Sequence, residues 1–369
     1  MAGPPFAERG GRMRGVLDVA TFRYPAFVFC GPVGRVLPVF HLHESDPEVL
    51  QRRLDYLADG GYRTVTTDAI RRFVVDGVHP GSRTVALCFD DCWATLWTVA
   101  VPLLRRHGMT AIAFAIPARV ADAEAVRPTI EEDPAAARAD RSDIPFATWP
   151  ELKAMQDSGV IDVQSHTWSH SSMFAGEAVV DYVKPEFAGR PLLNRPLASG
   201  DGLRWLTPAE LGAPIHLERS RMSDGLRFYD DEAVRARCVE HVSARGGAAF
   251  FQRPGWRTEL DRIAGAGSSR WETRAARGRA IVEELDRARA TLENRLRTSV
   301  TRVCMPWGIA GAETRAALRT TGCDLAFADR LGGRRVVATG DDPHALMRLH
   351  ERFICCLPGR GRRWFLTAR

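Results

Sequence analysis

Arg83-Thr84-Val85-Ala86-Leu87-Cys88-Phe89-Asp90-Asp91-Cys92-Trp93 decides the fold. Five of the six residues before Asp90 are apolar, the composition of a strand buried on both faces in a barrel or parallel sheet. Two carboxylates stand where that strand should end. Downstream, Pro102–Gly108 reads as the end of a helix and Met109–Ile116 as a second buried strand. The unit is strand–helix–strand with two acids at the strand's C-terminal end, where such folds keep their chemistry. Side chains alternate along an extended chain, so Asp90 and Asp91 can point in different directions and take different roles. Taken alone, the dipeptide is more often the mark of a solvated turn.

The same alternation extends on both sides. Val36–His43 reads as a strand, followed by a helix that Ser45 or Asp46 caps and Pro47 opens, with Leu50, Leu54 and Leu57 on its apolar face. Gly60-Gly61 ends it, Tyr62–Thr66 reads as a strand and Asp68–Val75 as a short helix. Residues 121–147, with prolines at 128, 134 and 145, form an insertion. Thr148-Trp149-Pro150-Glu151 then restarts the pattern as a capping box, and the Val160–Val163 strand runs into Gln164-Ser165-His166-Thr167-Trp168-Ser169-His170. Residues 171–270 carry frequent Pro and Gly and read as a substrate-covering insertion, with short helices over Asp230–Ala244 and Glu259–Ala264. A long helix is expected over Arg274–Leu296, with Ile281, Leu285, Leu292 and Leu296 facing inward. A strand entering a turn at Val303–Gly308, a helix over Glu313–Thr320, a strand over Cys323–Ala328 and a last one including Ala345–Leu349 complete an α/β chain. Residues 1–34 read as an N-terminal extension draped over the surface. Residues 35–369 read as one catalytic barrel.

Composition bounds the function. At 369 residues, 45% hydrophobic and 26% charged, the chain can bury a large core. Its 51 Lys+Arg against 45 Asp+Glu give +6, dispersed except for Arg360-Gly361-Arg362-Arg363, which reads as a solvated tail. No basic-aromatic patch or known module points to nucleic acid. No run approaches the ~18–20 apolar residues of a membrane span. Eight scattered cysteines without a CxxC spacing fit a reducing compartment. Arg9, Arg12 and Arg14 are not followed by a signal-peptide core, so a cytoplasmic protein is expected.

His166 and His170 are four residues apart. If the chain turns helical after its strand, both imidazoles lie on one face and can grip one metal ion. If the strands open onto the same face, Asp90 and Asp91 converge with them. Two histidines and a carboxylate with an open position describe a hydrolytic zinc-type site, and the second carboxylate is left to take a proton from water. His41 and His43 alternate onto one face of the first strand and read as barrel-lining or surface residues.

These motifs resemble those of the polysaccharide deacetylase family (NodB homology, carbohydrate esterase 4). Cys88-Phe89-Asp90-Asp91-Cys92 stands for its T-F-D-D-G motif, His166-Thr167-Trp168-Ser169-His170 matches H-[ST]-x-x-H in full, and Cys304-Met305-Pro306-Trp307-Gly308 partly matches R-x-P-[YFW]. The resemblance implies a deformed (β/α)7 barrel of the NodB type, with a large insertion between the second and third motifs. It implies hydrolysis of an N-acetyl group from an amino sugar with a divalent metal, Zn2+ first and Co2+, Ni2+ or Mn2+ as alternatives. Carried over, Asp90 is the general base and Asp91, His166 and His170 hold the metal. Pro306, Trp307 and Trp168 line the oxyanion and acyl or sugar region. His350, in Arg348-Leu349-His350, is the general acid, with His344 second.

The chain departs from the family at three places. Cys92 replaces a glycine and could touch the metal, although a bystander thiol is favoured. Cys304 stands where many members have an arginine that orients the base, so another group must tune Asp90, with an arginine of the insertions as the candidate. The late Leu-x-His motif is not clean. The expected substrate is an N-acetylated amino sugar in a glycan, a lipid-linked precursor (with peripheral membrane contact) or a small glycoconjugate. Two alternatives stand beside it: a deformylase or amidohydrolase of another small amide on the same barrel, and a catalytically impaired carbohydrate-binding relative.

Overall fold

The computed structural model describes residues 11–138, 143–198, 202–265, 269–330, 332–365 and 367. Parts of the N-terminal extension and of both insertions therefore lie outside the described residues. In chain order the strands are β1 Val39–Leu42, β2 Arg63–Thr64, β3 Thr84–Asp91, β4 Ala111–Ala115, β5 Ile161–Ser165, β6 Ser172–Tyr182, β7 Pro196–Leu197, β8 Pro214–Ser220, β9 Phe228–Tyr229, β10 Arg270–Trp271, β11 Arg302–Cys304, β12 Leu325–Phe327 and β13 Leu349–His350. The described residues divide into two compact units: those within 15–169, 283–308 and 315–369 in one, and those within 11–14, 170–282 and 309–314 in the other.

In the first unit the continuous sheet runs β12-β11-β5-β4-β3-β1-β13, with β2 paired to β3 beside it. Every pairing along that path is parallel, and the ends of the path meet where Leu346, just before β13, bridges Phe327 of β12. This is a curled parallel sheet of seven strands with helices, the deformed (β/α)7 barrel expected from the sequence. All eight residues of β3 are buried, as its apolar run requires. Alternation splits the two faces of the sheet cleanly. Phe40, Val85, Leu87, Phe89, Ala113 and Val163 pack outward with Leu50, Leu54 and Leu57 of the Pro47–Asp59 helix. Val39, Ala86, Cys88, Ile112, Phe114, Cys304 and Phe327 fill the bore. Asp90 follows Ala86 and Cys88 at spacing two, so its side chain belongs to the bore.

Local signals held well. Asp46 caps the first helix by accepting from Val49 N–H at 2.8 Å, and Glu151 accepts from Thr148 N–H at 2.9 Å in the expected capping box. Glu151 is fully buried and is matched by Arg127 of the 121–147 insertion, whose Nε and Nη2 reach it at 2.7 and 2.6 Å. The Arg274–Leu296 helix has the expected bounds, with Ile281, Leu285, Leu292 and Leu296 buried.

Two tails differ from expectation. Phe27 and Val28, in the stretch expected to drape over the surface, are fully buried in the outward core. Arg362, expected in a solvated tail, donates to the carbonyls of Phe27, Cys30, Gly31 and Cys356, so it ties the two ends of the chain together. Hydrogen bonding to backbone, not charge, explains that arginine.

In the second unit β6 pairs antiparallel with β8 and parallel with β7, and β9 with β10 forms a separate ribbon. The helices Glu232–Ser243 and Trp256–Ala264 stand where short helices were expected. Tyr182, Val234, Cys238, Val242, Phe250 and Leu260 form a core of their own. Among the described residues, no helix is long and apolar enough to cross a membrane.

Candidate metal centre

Register builds this site. Asp91 pairs with Ala115, Ala115 with Ser165, and Ser165 with Val303, so one row crosses β3, β4, β5 and β11 at their C-terminal ends. One step further along the neighbouring strands stand Cys92, His166 and Cys304. On the other side His41 pairs with both Cys88 and His350, which brings His43 toward the level of Asp90.

The strands end abruptly here. Asp91 (φ 69°), Cys92 (φ 54°), Thr167 (φ 65°), His170 (φ 48°) and Trp307 (φ 54°) are all left-handed without being glycine. That conformation costs about 1–2 kcal/mol per residue and persists only where the surroundings enforce it. The His166–His170 segment is therefore a bent loop; the helix imagined for it does not form. The left-handed turns, not helical spacing, bring the two imidazoles together. Ser169 fixes the loop by donating from N–H and Oγ to Glu284 at 2.9 and 2.6 Å.

Asp91, His166 and His170 are buried, and each offers a ligand atom within 4.8 Å of the others. His166 Nδ1 lies 2.7 Å from the Cys304 carbonyl oxygen, which can only accept, so in the neutral ring Nδ1 carries the hydrogen and Nε2 presents its lone pair. That nitrogen is 3.4 Å from Asp91 Oδ1. A histidine whose second nitrogen is held by a carbonyl is arranged as metal ligands usually are. Trp93 Nε1 donates to Asp91 Oδ2 at 3.1 Å, and its ring packs on Phe146 of the insertion with centroids 4.7 Å apart. Two imidazoles and a carboxylate in this grouping suit a divalent transition metal. Cys92 is fully buried and its thiol is pushed up by burial and by the two aspartates, so it stays a neutral neighbour.

Asp90 is held differently. Arg348 Nη1 and Nη2 donate to its two oxygens at 2.6 and 2.7 Å, and Nη2 also lies 2.9 Å from Cys304 Sγ. Burial alone would raise the Asp90 pKa, but the charge and hydrogen bonds of Arg348 hold it below the usual carboxylate range. The group expected from an insertion thus comes from just before β13, the strand that closes the barrel. The residue was in view in the sequence, within Arg348-Leu349-His350, but 258 positions separate it from Asp90, and nothing local announces the pair.

The histidines of the bore form a cluster. His41 lies with ring centroids 5.6 Å from His43 and 5.3 Å from His350, and His43 Nε2 stands 4.0 Å from Asp90 Oδ2. His350 Nδ1 accepts from Arg352 N–H at 3.2 Å; desolvation, then Arg352, His43 and Arg53, lower its pKa to about 4. His344 is committed to the Cys323 carbonyl at 2.9 Å. Pro306 is buried and Trp307 half-buried in the turn after β11. Trp168 lies under Arg287, whose guanidinium carbon is 4.0 Å from the ring centroid, so that face is covered. Glu284, Trp93 and Arg348 are the partners that sequence reasoning passed over. Trp93 was within reach, two residues past Asp91.

Comparison with known proteins follows the geometry. Residues 77–188, which contain both Asp90-Asp91 and His166…His170, match the family described as polysaccharide deacetylase. The chain is 26% identical over 179 residues to the poly-β-1,6-N-acetyl-D-glucosamine N-deacetylase of Escherichia coli K12, a match covering 48% of this chain. It spans only 25% of that relative's length. The deacetylase domain of BpsB from Bordetella bronchiseptica superposes with a TM-score of 0.51 at 15% identity, over 87% of this chain and 97% of that one, and so shares its fold.

Proposed function

We propose that the chain, whose residues 77–188 match the polysaccharide deacetylase family, is a metal-dependent amide hydrolase that removes the N-acetyl group of an amino sugar. The observation that carries this is the buried Asp91/His166/His170 donor set with a separately held carboxylate, Asp90, beside it. A divalent metal bound by those three side chains would acidify a water and polarise the acyl oxygen. Asp90 is the proton acceptor. Arg348 keeps it ionised and fixes both of its oxygens, so one lone pair can face the attacking water. The leaving amine needs a proton. His43, exposed (side chain 53%) and 4.0 Å from Asp90, is the better placed donor; His350 is the alternative that the family resemblance implies. A backbone N–H of the left-handed turn at Trp307 is the candidate to receive charge developing on the acyl oxygen.

The related enzyme's name makes β-1,6-linked N-acetylglucosamine oligomers the first substrate to offer. Metal content by elemental analysis, with acetate release from those oligomers, tests the proposal. The expected result is near-stoichiometric metal that Asp91→Ala and His166→Ala each lose. Asp90→Asn should keep the metal and lose activity by about 10²–10⁴-fold. Wild-type protein that binds no divalent metal after reconstitution would overturn it.

A further inference from the structure

The bore holds a second group of ligand-sized spacing. Asp90, His166 and Cys304, all buried, also bring ligand atoms within 4.8 Å of one another. His166 belongs to both groups. With Nδ1 committed to the Cys304 carbonyl, the ring offers one nitrogen, Nε2, so it can serve one ion and the two sets are alternatives. The second set is not a poor one. An imidazole, a carboxylate and a thiol suit zinc or cobalt, and ligation strips the proton from a coordinating thiol outright. Protein folding alone has therefore left two overlapping sets in one bore.

What distinguishes them is Arg348. Its guanidinium engages both oxygens of Asp90 and lies 2.9 Å from Cys304 Sγ, two of the three members of the second set. The first set's carboxylate, Asp91, accepts instead from Trp93 Nε1 at 3.1 Å. The arginine is held in place, with a side chain only 11% exposed and with Phe114 and Phe327 ring centroids 5.6 and 5.5 Å from the guanidinium carbon. A metal ion in the second set would have to displace a buried cation or sit beside it, and two like charges in a low-dielectric bore repel strongly.

We propose that Arg348 decides which of the two sets takes the metal, a role that rests on the metal-hydrolase reading above. It fills the Asp90/His166/Cys304 side, directs the ion to Asp91/His166/His170 and reserves Asp90 for proton transfer. Cys304 is the reason such a device is needed. A thiol at the end of β11 creates the competing set, and a guanidinium supplied from just before β13 closes it. Arg348 acts through Asp90 and Cys304, so it is a positioning residue.

The test uses cobalt(II) as the probe and the full chain. Thiolate ligation gives a near-ultraviolet charge-transfer band that imidazole and carboxylate ligands do not. Wild type loaded with one equivalent should bind cobalt without that band. Arg348→Met should bind cobalt and show it, and Arg348→Met/Cys304→Ser should lose it again, which separates Cys304 from Cys88 and Cys92. Arg348→Gln, which keeps polar contact with Asp90, is carried in parallel in case loss of the buried charge prevents folding. A purely structural arginine would move stability but would not create a cobalt–thiolate band. A band in wild type that Cys304→Ser abolishes, or folded Arg348 variants that bind cobalt without one, would overturn the proposal. Wild type that binds no cobalt at all would instead sink the hydrolase reading.

Discussion

At the scale of the residue, the centre is built from backbone that most side chains avoid. Cys92 shows what that costs. It is fully buried and left-handed, at the position where the first motif of the family has glycine. Cys88, four residues earlier and within β3, is equally buried but extended. Deleting either side chain to glycine removes the same atoms, yet only at position 92 does it relieve a left-handed residue. Cys88→Gly should therefore cost about 1–2 kcal/mol more in urea denaturation than Cys92→Gly. Equal losses would show that Cys92 is not strained. A second contrast separates the two candidate proton donors. If His43 protonates the leaving amine, His43→Ala should lower turnover by about 10²–10⁴-fold while His350→Ala does much less. The reverse order would return the role to His350.

At the scale of the element, legibility followed sequence distance. The Asp46 cap, the Glu151 capping box and the Arg274–Leu296 helix depend on residues within a turn or two of each other, and the sequence displays them. The pairing of β6 with β8 does not depend on near neighbours. Its register shifts between Phe174 and Val179 and again before Asp181, and those irregularities erase the alternation that announces a strand. The second unit is held by pairs of equally distant origin. Arg221 Nη1 and Nη2 donate to Glu272 at 2.8 and 2.5 Å, 51 residues away, and Arg227 N–H adds a third bond at 3.1 Å. Burial raises the Glu272 pKa, but these partners outweigh it and hold it below the usual value. Since the folded value is the lower one, the pair stabilises fully above the unfolded value near 4.3 and is lost as pH falls below it. Glu272→Gln should cost about 3–5 kcal/mol at neutral pH, with the difference from wild type shrinking in acid. Denaturant melts at several pH values read both effects, and a pH-independent difference would rule out the ion pair as the cause.

At the scale of the whole barrel, Arg348 and Asp90 are a spoke across the bore. They join residues on opposite sides of β1 in the strand order, with Cys304 of β11 on the far wall, and such a contact exists only because the sheet is curled. The circle itself is completed thinly. Leu346 N–H donates to the Ala326 carbonyl and Ala328 N–H to that of Leu346, both at 3.0 Å. Hydrogen exchange should be faster at Leu346 and Ala328 than at β3 and β4, and Arg348→Met should quicken it at that seam while leaving β3 and β4 unchanged. Uniform acceleration would mean that the arginine supports the fold globally. The order in which a chain is made gives this closure another meaning. Asp91, His166, His170 and Cys304 all emerge from the ribosome before Arg348. A nascent chain halted short of that arginine would already carry both overlapping ligand sets, with nothing yet to choose between them. The stretch that commits the centre is made after both of the sets it chooses between.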